Sequence, residues 1–197
     1  MSTNNGHSTM GIAFFAVPQT GDDQGYIGAV LVTDERGIPK EFRCTHPVRS
    51  TVVQKALYGH NLESHMSFQL CGKPLLGALT SHPVACLVES RGMVVLRESV
   101  SVPVLYVQRL GEVLAVDSNQ PGQESGSGPV SNRTLRLDSR LGGFQPLAVY
   151  CYPGQENDIE LTRTALEQVF QYVDLLEPFE RITTALVALA ERDERFR

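Results

Sequence analysis

YIGAVLVTDERGIPKEFRCTHPV, from Tyr26 to Val48, is the stretch that decides the fold class. Tyr26 to Thr33 is apolar on both faces, as in a strand covered on two sides. Asp34 suits the start of a turn, and Gly37 the positive φ of a bulged hairpin. The return strand alternates, with Phe42, Cys44 and His46 pointing one way and Glu41, Arg43 and Thr45 the other. A hairpin at the centre of a sheet is the expectation.

Upstream, GIAFFAV (Gly11 to Val17) reads as a short buried strand closed by Pro18 and the loop TGDDQG. Downstream, Thr51 can cap a helix with Gln54 completing a capping box. Val53, Leu57, Ser64, Phe68 and Cys71 then form a stripe at helical spacing, broadened by Leu62 and Met66. Gly72 and Pro74 punctuate its end. VACLVES, GMVVLRES, PVLYVQRL and EVLAVDS follow in quick succession, and such short links predict antiparallel strands. The Gly/Ser-rich segment 119–132 reads as a loop between hairpin strands, before the strand-like TLRLDS and PLAVYCY.

From Asn157 the period changes. Ile159, Leu166, Val169, Phe170, Val173 and Leu176 stripe one helix; Phe179, Ile182, Leu186 and Leu189 stripe a second after Pro178. The whole predicts an α+β fold: a largely antiparallel sheet, a long helix after the first hairpin and two C-terminal amphipathic helices. Residues 1–155 form the sheet domain, and 156–197 a helical pair packed on it.

The chain has 197 residues, 42% hydrophobic and 20% charged, with a net charge of -5. That composition fits a folded globular chain and excludes wholesale disorder. Lys and Arg are scattered, so no basic face marks a nucleic-acid binder, and nucleic acid is an unexpected partner. No apolar run reaches the roughly 18 residues needed to span a bilayer, and the N-terminus lacks the pattern of a secretory signal. Four cysteines read as reduced thiols, and a cytoplasmic location is expected.

Candidate chemistry is sparse. Cys44 and His46 share a strand face, and His60 and Glu63 lie on the following helix. These four are the weak catalytic candidates for a small hydrolase or nuclease-like enzyme. Without a Cys-x2-Cys knuckle, no metal site and no cofactor is expected. The order of hairpin, helix and strand is similar to that of ribonuclease H-like folds. However, the strand interiors carry no acid, and Glu89, like Asp34 and Asp138, falls at a strand end, where carboxylates are usually solvated.

The block Tyr26–Val48 with QKALYG resembles stretches of uncharacterised bacterial open reading frames, a likeness that implies no activity. The order of residues 26–117 also resembles Roadblock/LC7 (profilin-like) domains, which implies an interaction platform. The leading expectation is therefore a non-catalytic accessory subunit that pairs with another protein or with its own copy. Its docking face would be Phe179, Ile182, Leu186 and Leu189. The small enzyme centred on residues 44–65 is the alternative.

Overall fold

A computed structural model of the chain describes residues 11–20, 25–111, 129–140 and 142–196. The strands are β1 (Ile12–Ala16), β2 (Gln19–Thr20), β3 (Gly25–Tyr26), β4 (Ala29–Thr33), β5 (Pro39–Cys44), β6 (Ala85–Val88), β7 (Val104–Arg109), β8 (Thr134–Leu137) and β9 (Leu147–Cys151). The helices are α1 (Val52–Tyr58), α2 (Leu62–Ser64), α3 (Lys73–Gly77), α4 (Asn157–Val169) and α5 (Glu177–Arg192). The α+β class stands: a seven-stranded sheet runs β5-β4-β1-β6-β7-β9-β8, with helices on both faces.

The hairpin forms as its sequence dictates. β1 and β4 pair antiparallel, as do β4 and β5, with a register irregularity at Val32/Thr33. The Asp34 carboxylate accepts from the N–H groups of Arg36 and Ile38 at 2.9 Å each. Gly37 takes a φ of +76°, which a β-branched residue tolerates poorly. The Arg181 guanidinium donates to its carbonyl at 2.7 Å, tying the turn to α5.

One expectation fails at the sheet centre. β6 pairs parallel with both β1 and β7, so the sheet is mixed. GMVVLRES is no strand: Arg91–Glu98 is a 3-10 helix that buries Met93, Val94 and Leu96. Met93 and Leu96 are three apart, so the three-residue turn points both inward. With that run out of the sheet, residues 89–103 are long enough to cross over to a parallel strand. EVLAVDS and residues 119–128 of the predicted loop lie outside the described residues. At the far end of that loop, the Ser131 N–H donates to the Cys151 carbonyl at 2.9 Å, and Ser131 is buried.

The long helix is also revised. Thr51 and Gln54 form the capping box, but α1 passes through a 3-10 turn (Gly59–Asn61), α2 and a π-helix (His65–Gly72) before α3. Gly28 explains the close seating of this layer, since a Cβ there would meet the Cys71 Cβ at 2.5 Å. Each change of helical period rotates the face, so the expected stripe is broken. Cys71 is buried and Phe68 packs on the core, whereas Val53 and Leu57 stand in solvent.

Two cores result, one per face. Phe14, Ile27, Leu87, Leu105 and Val149 pack under α4 and α5. Phe15, Val30, Val32, Cys86 and Val94 pack under the segmented layer. Phe179, Ile182 and Leu186 lie inside the first core and Leu189 against it; the Phe179 ring meets Phe14 edge-on at 5.6 Å. The stripe expected as a docking face is thus covered by the sheet. Arg97, on the crossover, forks onto Asp158 at 2.6 and 3.2 Å, joining the crossover to α4.

Candidate active site

The residues singled out from sequence do not meet. Cys44 is half-buried on β5 and packs toward the α5 core, where burial pushes its thiol pKa up and away from a reactive thiolate. The His46 ring lies on Phe196 at 5.1 Å. His60 and Glu63 belong to the layer on the opposite face of the sheet and point to solvent. Tyr26 is raised by burial, with the Glu63 charge as a lesser cause. The expected face around residues 44–65 is therefore split by the sheet. His82 and Cys86 also part: His82 is exposed, while Cys86 is fully buried and pushed up to about 12 by burial. Among the described residues no three His, Cys, Asp or Glu side chains converge as metal ligands.

The cleft that does form sits at the carboxyl end of β6. The last β6–β7 pair is Val88 with Tyr106, and β7 runs on to Arg109. Its continuation leaves a notch walled by Glu89, Tyr106, Val107 and Gln108 on the sheet side, and by Leu176, Phe179, Glu180, Thr183 and Thr184 from α5. Its volume is about 530 Å³. Carboxyl ends of parallel strands are where open α/β sheets expose backbone and side chains to ligands.

On the face of β7 turned away from α5, the Tyr106 hydroxyl donates to the Gln108 side-chain carbonyl oxygen at 2.5 Å, and the Gln108 amide donates to the Tyr150 hydroxyl at 3.2 Å. The two tyrosine rings stack at 5.7 Å. The hydroxyls of Thr183 and Thr184 donate to the carbonyls of Phe179 and Glu180, at 3.2 and 2.9 Å. Both therefore turn oxygen lone pairs, not protons, toward a ligand. Arg109 is held beside the notch by Asp174, whose other carboxylate oxygen accepts from the Leu176 N–H at 3.2 Å, on the turn into α5.

Glu89 is the distinctive group. The residue reaches solvent, yet neighbouring walls desolvate its carboxyl, and this burial holds its pKa above the ordinary range. Sequence reading set it among solvated strand-end carboxylates. The available signal was an acid placed directly after the apolar run Ala85–Val88, and it becomes informative only once β6 is known to be parallel.

No protein-family model and no curated protein matches the chain. Among solved structures, human ENDOV is similar over 91% of this chain and 87% of its own, at 14% identity and a TM-score of 0.47. Endonuclease V of Bacillus subtilis is similar over 82% and 71%, at 9% identity and 0.46. Endonuclease V of Ciona intestinalis, in complex with an inosine-containing DNA, is similar over 81% and 77%, at 11% identity and 0.45. These matches to nucleases, one of them holding DNA, run against the expectations of a non-catalytic accessory subunit and of nucleic acid as an unexpected partner. Both expectations are withdrawn. Likeness at this level carries neither substrate nor activity to this chain. Among the described residues no helix is long and apolar enough to cross a membrane.

Proposed function

We propose that the chain is a small hydrolase working at the notch, with Glu89 as its acid–base group. The observation that supports this reading is the placement of a carboxylic acid, Glu89, in a cleft at the end of a central parallel strand, where partial burial also favours its protonated form. The cleft also holds a second carboxylate and hydroxyl acceptors. The enzyme class is the one expected as the alternative, but its place moves from residues 44–65 to Glu89.

The chemistry is hydrolysis of an oxygen ester. Protonated Glu89 gives its proton to the leaving oxygen as the ester bond breaks. Glu180 takes a proton from the attacking water, whose oxygen forms the new bond; one water is consumed.

The test is a panel of carboxylic esters and phosphodiesters, DNA and RNA oligonucleotides included, assayed across pH with the full chain and with Glu89→Gln. Hydrolysis of one class is expected, falling as pH rises through the raised Glu89 pKa. The loss in Glu89→Gln should be on the order of a hundredfold, with unfolding temperature unchanged. Absence of turnover on the whole panel, or equal rates in the variant, would overturn the reading.

A further inference from the structure

At the amino ends of the same two parallel strands lies a second cleft, of about 630 Å³. Its lining is chemically opposite to that of the notch. Lys73, His82, Ser99 and Ser101 supply donors, the Ser81 hydroxyl being engaged by Glu41, and the lining contains no carboxylate. Leu76, Leu79, Val100, Val102 and two prolines, Pro83 and Pro103, supply an apolar floor. Among the described residues Lys73 and His82 make no ion pair. Glu41, close in space to this loop, does not line the cleft. Its carboxylate is occupied by the N–H groups of Thr80 and Ser81, at 3.1 and 2.8 Å, by the Ser81 hydroxyl, and by Arg43 at 2.5 Å.

We infer that this cleft binds an organic anion: a phosphate or carboxylate head carried on an apolar body. The lysine ammonium and the hydroxyl donors suit the head, since hydrogen bonds to a charged acceptor are stronger than neutral ones. The proline and aliphatic floor suits the body, and the volume falls in the range of small-ligand sites. The site is distinct from the notch and independent of its chemistry, because the two clefts share no lining residue.

The experiment is calorimetric titration of the full chain with phenyl phosphate, benzoate, and benzyl alcohol as the uncharged body. Saturable binding of one of the two anions is expected, at least tenfold tighter than benzyl alcohol and weakened by added salt. Lys73→Gln, an exposed substitution, should weaken it at least tenfold at an unchanged unfolding temperature. His82→Gln should weaken it less, and Glu89→Gln should leave it unaltered. No saturable binding of either anion, equal binding of benzyl alcohol, or indifference to both Lys73→Gln and His82→Gln would overturn the inference. A loss in Glu89→Gln alone would assign the anion to the notch and overturn it as well.

Discussion

On one face of the sheet α5 buries Phe179, Ile182 and Leu186; on the other, α1 buries none of its residues and leaves Val53 and Leu57 65% and 78% exposed. Both segments show apolar residues at helical spacing. α5 is a continuous helix of 16 residues lying on the sheet, so its period stays in phase with one surface. The α1 layer changes period three times before it reaches the sheet. Spacing tells which residues share a face within one regular helix, and it fails where the helical period changes.

The largest test of this difference is removal of α5. A chain ending after Glu177 should lose cooperative thermal unfolding altogether, because Phe14 and its neighbours become exposed. A truncated protein with a sharp transition would show that the segmented face alone sustains the fold. Next, Gly37→Val should destabilise by about 2–4 kcal/mol in denaturant unfolding. It combines a positive φ with a Cβ 2.8 Å from a Val173 methyl, so it strikes the junction of the hairpin with the residues leading into α5.

Gly28→Ala strikes the opposite layer. With its Cβ driven onto Cys71, a loss of about 1–3 kcal/mol is expected; no loss would mean that the segmented layer shifts freely on the sheet. Glu41→Gln should cost about 1–2 kcal/mol at neutral pH by slackening the tether from β5 to the loop after α3. Burial pushes the Glu41 carboxyl up, but the Ser81 and Thr80 N–H groups and Arg43 outweigh it and leave the folded pKa depressed. The wild-type advantage should therefore be full above the ordinary value of 4.5 and shrink as pH falls below it toward the depressed folded value. Leu57→Gln should change stability by less than about 0.5 kcal/mol, in contrast to any substitution in the α5 stripe.

Legibility from sequence followed the same physics. The hairpin, its Asp34–Gly37 turn, the Thr51 cap and the C-terminal stripes were readable because each is set by neighbours within a few residues. The parallel placement of β6 and β7 was not, since it depends on what Arg91–Glu98 does, and a short apolar run such as Met93–Leu96 fits a strand or a short helix equally well. The notch was invisible for that reason. Glu89 and Glu180 are 91 positions apart and line one cleft because β7 overhangs a parallel neighbour. The Cys44, His46, His60 and Glu63 group failed for the converse reason: closeness in sequence concealed that a sheet stands between its halves.

The edge-on contact of Phe14 with Phe179 has a consequence for biosynthesis. β1 leaves the ribosome well before the segments that cover it: its partners β6 and α5 are made about 70 and 165 residues later. At translation speeds of roughly 5–20 residues per second, the strand waits on the order of ten seconds for the helix that shields it. Over that interval a nascent chain displays IAFFA to its surroundings. Its yield in a cell should therefore depend on chaperone occupancy more than the stability of the finished protein would suggest.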